Sequence, residues 1–129
     1  MNAFQDAFDA LREMIRNAQT VYTSVEVGAL PPEDSMVVAI STGDDVNTDL
    51  ALHGDLDLDL VVNAKNKYQR SVIAALTDVH YMLSRMVDLP RGDGWQILAV
   101  ETSTYPAFIE HDGDQFLYGS GLRVLLYLE

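Results

Sequence analysis

The chain contains no cysteine. Disulfides, thiolate metal sites and a cysteine nucleophile are excluded together, and the composition suits a reducing compartment. Basic residues are few: eight Lys and Arg stand against twenty Asp and Glu, a formal charge of −12. Such a surface repels a phosphate backbone, so sequence-independent binding of DNA or RNA is disfavoured. Long apolar runs are missing too, so no segment is expected to span a membrane. Acids stand where a signal peptide would carry bases (MNAFQDAFDA), and secretion is not expected. Repeats, low-complexity tracts and linkers are absent. With 129 residues and 48% hydrophobic content, that implies one domain, 1–129, with a full core.

What the chain does have is concentrated in residues 55–76, DLDLDLVVNAKNKYQRSVIAAL. Leu56, Leu58, Leu60 and Val62 alternate with Asp55, Asp57 and Asp59, the period-two pattern of a strand with one apolar and one acidic face. Asn63-Ala64-Lys65 reads as a turn into a long helix, with Asn66 and Gln69 as a capping pair. Its apolar stripe is Val72, Ile73, Leu76, Val79, Leu83, Met86 and Val87, and it must stop before Pro90 and the RGDG turn at 91–94.

A first helix is signalled by Asn2 with Gln5 and by Phe4, Ala7, Phe8, Leu11, Ile15 and Ala18 at helical spacing, with Asp6 and Asp9 early and Arg12 and Arg16 late. Strands are expected over 21–27, 36–41, 50–62 (bent at Gly54), 95–103 and 115–128. Loops are expected at 28–34, where Pro31-Pro32 forbids a ladder, and at 42–49. Tyr105-Pro106 opens another loop, and 111–114 is a turn. The order α-β-β-β-α-β-β implies an α+β fold: a mostly antiparallel sheet of about five strands with two helices on one face.

The last strand strains that plan. Phe116, Tyr118, Leu122, Val124, Leu126 and Leu128 line one face, while Leu117, Leu125 and Tyr127 line the other around Arg123. Two helices cannot cover both faces, so the second is expected to meet another subunit, with Tyr118, Leu125 and Tyr127 at or near the contact. Six tyrosines and one tryptophan, types enriched at interfaces, agree.

Chemistry is sought without success. The aspartate ladder opens like an EF-hand, but Leu60 replaces the required glycine and Asn66 the closing glutamate. Aspartates two apart on a strand lie about 6.8 Å from each other. Each pair repels by at most about 0.6 kcal/mol in water, which a solvated face tolerates. His53, His80 and His111 form no short-spaced pair, and His80 borders the helical stripe as a structural residue. Gly119-Ser120-Gly121 has neither a nucleophile elbow's flanks nor a dinucleotide fingerprint, so its glycines are expected to admit a close neighbour. No catalytic, cofactor or metal site is expected, and no enzyme.

The whole layout nevertheless resembles a known family. An amphipathic N-terminal helix is followed by an extended strand entering Asn63-Ala64-Lys65 and Gln69. Trp95-Gln96-Ile97, the Thr104-x-Pro106 step and Tyr118-Gly119-Ser120-Gly121-Leu122 before an apolar last strand complete a pattern covering nearly the whole chain. It is similar to the tail terminator (head–tail joining, minor tail or minor capsid) proteins of long-tailed bacteriophages.

The resemblance implies a non-enzymatic ring, commonly of six subunits, made in the host bacterial cytoplasm and placed at the virion head–tail junction. Such a ring caps the tail tube and joins it to the head connector, and DNA passes through without specific binding. Asp55, Asp57 and Asp59 are then expected to line or border the channel. A neighbouring role in the phage neck fits the same pattern. The competing class is a ligand- or metal-binding α+β protein or enzyme, with His53, His111 and nearby acids forming a pocket.

Overall fold

A computed structural model describes residues 2–40 and 54–129. The expected turn at 42–49, the start of the third strand and His53 lie outside them. Helix α1, Ala3–Asn17, begins at the expected capping box: Asn2 Oδ1 accepts from the Gln5 amide at 2.8 Å, and Gln5 Oε1 accepts from the Asn2 amide at 3.3 Å. Its Ala7, Leu11, Met14 and Ile15 are buried.

Helix α2, Gln69–Ser84, buries Val72, Ala75, Leu76, Val79, His80 and Leu83. Strands β1 (Glu26–Val27), β2 (Ser35–Ile40), β3 (Gly54–Asn66), β4 (Arg91–Gly92), β5 (Trp95–Asp112) and β6 (Gln115–Leu128) form one sheet in the order β1-β2-β3-β6-β5-β4. Among the described residues only the β1–β2 pair is parallel.

Among the described residues the fold is therefore α+β with two helices, and the sheet has six strands rather than about five. The extra strand is β4: Asp93 and Gly94 form a two-residue hairpin loop, with Gly94 at φ 84°, so the RGDG turn carries a short ladder. Three expected strand limits move by more than a residue. The segment at 21–27 is strand only at Glu26–Val27, because Gln19 holds the chain before it: its side chain donates to the Tyr22 carbonyl and accepts from the Tyr22 amide. The expected loop at Tyr105-Pro106 is strand. Pro106 sits beyond the reach of β4, where among the described residues no ladder partner needs its missing N–H, and β5 absorbs register shifts on both sides of it.

The turn expected at Asn63-Ala64-Lys65 is also strand. The Tyr22 hydroxyl donates to the Lys65 carbonyl at 3.0 Å, Lys65 is buried with its amine 3.4 Å from Asp112, and β3 runs on to Asn66. Asn66 does not cap α2. Its Oδ1 accepts from the Tyr68 amide at 2.9 Å, forming a side-chain turn that redirects the chain into the helix.

One apolar cluster joins both helices to a single face of the sheet. Leu58, Leu60, Val62 and Ala64 of β3 meet Tyr118, Leu122, Val124, Leu126 and Leu128 of β6 beneath α1 and α2. Full burial of each such leucine stabilises by about 1.5–3 kcal/mol. The period of two therefore fixes which face of β3 and β6 is covered.

Candidate functional site: the open face of the sheet

The alternation that buries the even-numbered residues of β3 and β6 turns their odd-numbered neighbours to the other face. Register then assembles rows across three strands. Asp55 lies opposite Tyr127 and Gln96, Asp57 opposite Leu125 and Ala99, and Asp59 opposite Arg123 and Glu101. The next rows are Val61–Gly121–Thr104 and Asn63–Gly119–Ala107. The expected channel residues and two of the three expected contact residues are thus one surface. The third is not on it: Tyr118 faces the core, 7% exposed, with Gln69 Nε2 donating to its hydroxyl at 2.7 Å. Its even number in β6 places it beneath the helices, a correction that the period of two dictates.

Arg123 organises the face. Its Nε and Nη2 bond both oxygens of Asp57, at 3.0 Å and 2.6 Å for the shorter contact of each, and Nη1 reaches Glu101 at 3.3 Å. The guanidinium thus takes the diagonal carboxylate on β3 and the directly opposed one on β5. Bonding to Arg123 holds the Asp57 carboxyl below its ordinary range, and Asp57, Glu101 and Asp59 together hold the guanidinium protonated. These groups are half-exposed, so the network orients side chains more than it stabilises the fold. Across the three rows, Asp55, Asp57, Asp59 and Glu101 face one Arg123, leaving three excess negative charges (4 − 1). Leu125 and Tyr127 are only 37% and 41% exposed within this acidic setting.

Beyond Arg123 the face becomes a shallow trough of about 400 Å³, lined by Asp59, Asn63, Ser103, Thr104 and Gly121 among others. Glycine makes it possible. A Cβ at Gly121 would lie 2.6 Å from Ser103 Oγ, and one at Gly119 would lie 2.7 Å from Ile109 Cδ1 and 2.9 Å from Asn63 Oδ1. The close neighbours expected from the Gly-Ser-Gly run are side chains of β3 and β5 folded over β6.

No protein-family model and no curated protein matches the chain.

The histidines are placed apart from this face or outside the description. His80 is buried, its Nδ1 2.8 Å from Thr102 Oγ1, and burial pushes its pKa down. His111 is exposed near the β5–β6 turn, its ring 4.2 Å from that of Phe116. Asp112 beside it is engaged by Lys65. Among the described residues no group of three or more His, Asp or Glu side chains is placed to hold a metal ion.

Sequence reasoning missed the role of Arg123, although a signal existed: one cation in an apolar strand, with an alternating acidic strand available to pair with it. It also missed a second concavity, between α2 and β5, whose lining residues come from two segments far apart in the chain.

Proposed function

We propose that the protein is a structural subunit of a tail-terminator-like ring at the head–tail junction of a long-tailed phage, with the open sheet face turned to the channel. The observation that carries this reading is the acidic face itself. Four carboxylates share three rows with one guanidinium on a broad surface that, among the described residues, no helix covers. Packing it into a dry subunit contact would strip water from Asp55, Asp57, Asp59 and Glu101, and only close, fully bonded partners offset that loss. An aqueous lumen leaves them hydrated. The same charges repel DNA phosphates, so a duplex slides past without adhering.

Leu125 and Tyr127 share rows with Asp57 and Asp55, so a subunit contact centred on them would bury those aspartates as well. The reading therefore assigns the subunit contact to other surfaces and leaves the tail tube and head connector to the ends of the ring. In solution, alone or with tail-tube protein, the chain is expected to give a ring-sized mass.

The triple substitution Asp55→Asn, Asp57→Asn and Asp59→Asn tests the face. Its mass should stay that of the ring, while double-stranded DNA should co-sediment with it at salt concentrations where the unaltered protein releases DNA. Loss of the ring would put the face at a subunit contact instead. Unchanged DNA behaviour, or a monomer even with tail-tube protein, would reject the reading.

A further inference from the structure

The outer edge of β5 is open for most of its length. Strand β4 pairs only with Trp95 and Gln96, and no other strand lies beyond it among the described residues. Unpaired edges of this kind invite a further strand. Between two register shifts, Ala99 to Thr102 keep regular pairing with β6, so this stretch presents a regular edge long enough for a short partner.

Alongside runs a groove of about 490 Å³ between α2 and β5, formed by Thr77, His80 and Tyr81 on the helix, Arg85 at its C-terminal cap, and Thr102 and Tyr105 on the strand. Three observations mark it as a seat for something. Tyr81 and Tyr105 stand 56% and 78% exposed on its walls. The Arg85 guanidinium lies 4.3 Å over the Tyr81 ring and makes no ion pair among the described residues, in a chain with a large excess of acid. His80, 6% exposed, has a buried Nε2 without a hydrogen-bond partner among the described residues. Aromatic and arginine side chains around a desolvated polar atom are typical of the energetic centre of a protein contact.

The opposite edge of the same sheet supplies the complement. Strand β1 is two residues long, Glu26 is exposed and Val27 is 52% exposed. An acid and an apolar side chain on a short strand match a cation and two tyrosines beside a short open edge. We propose that the α2–β5 groove seats the β1 edge of a second copy of this chain, with Glu26 meeting Arg85 and Val27 meeting the tyrosines. The contact is head to tail, using two different patches of each copy, and such a contact closes into a ring when its rotation divides the circle. The inference rests on the ring reading above and names the surface that builds the ring.

Charge reversal tests it. Arg85→Glu and Glu26→Arg should each weaken self-association at least tenfold in sedimentation, with unchanged melting of the subunit as the control for folding. Mixing the two variants should restore the ring-sized mass, because each variant then alternates with the other and every contact again joins opposite charges. Association of either variant at the unaltered strength overturns the groove contact, as does a mixture that stays apart. If instead Leu125→Asp alone dissolves the assembly, the ring stands and the edge contact falls. A wild-type chain that is monomeric both alone and with tail-tube protein overturns both.

Discussion

Gly92 and Trp95 face each other across the β4–β5 hairpin, and the indole lies over the glycine. A methyl group at Gly92 would fall 2.5 Å from Trp95 Cε2 and 2.7 Å from Cζ2. Carbon atoms settle near 3.5–4.0 Å, so the ring must retreat by roughly 1 Å. Gly92 does not have a positive φ, so alanine is compatible with its backbone. By itself the substitution would stabilise by about 0.4–1 kcal/mol through the unfolded chain. Overpacking a rigid ring costs about 1–3 kcal/mol, and Trp95 is packed against the core and paired with Leu128, so the collision should win.

Gly92→Ala is therefore expected to lower the melting temperature by several degrees, at roughly 3–6 °C per kcal/mol for a chain of this size. The chain has one tryptophan, so its fluorescence reports this corner alone. The emission maximum should move to the red as the ring leaves its partly buried seat. A variant that melts at or above the wild-type temperature with unshifted emission would refute the packing argument.

Two further substitutions probe the polar anchors. Tyr22→Phe removes the hydroxyl that serves the Lys65 carbonyl and should cost about 1 kcal/mol in urea unfolding at neutral pH. Burial pushes the Tyr22 pKa up to about 12, so its hydroxyl contributes fully below pH 10 and the contribution is lost as pH rises toward 12. The phenylalanine variant should lack that alkaline loss, and identical alkaline slopes would count against it. His80 is held below its ordinary value by burial, so the unfolded chain takes up its proton first. Its contribution is full above pH about 6.5 and declines as pH falls below it. In His80→Asn the drop in urea midpoint from pH 7.5 to 5.5 should shrink, and an equal drop in both proteins would dismiss the histidine as its source.

Elements governed by local periodicity were legible in the sequence. The α1 capping box and the span of β6, Gln115–Leu128, lie where residue spacing places them, because both signals are contained within a few neighbouring residues. Elements governed by distant partners were not. Nothing near Asn63 announces that the Tyr22 hydroxyl will bond the Lys65 carbonyl and prolong β3, and nothing near Tyr105 reveals that Pro106 lies where β4 no longer pairs with β5. The open face was half legible: the acidic ladder and the second apolar row were both read, but as two sites. Only the register of β3 against β6 shows Asp55 beside Tyr127 and Asp57 beside Leu125.

Strand β6 lies between β3 and β5, although it is the last of the strands in the chain. As the protein emerges from a ribosome, β3 must wait through the synthesis of α2, β4 and β5 before its long neighbour exists. Sheet closure is thus a late event joining segments far apart in sequence, the kind of topology that folds slowly. Until then the nascent chain holds two sticky borders, on β3 and on β5, and a product cut short before residue 115 would carry them into the cell uncovered and prone to clump.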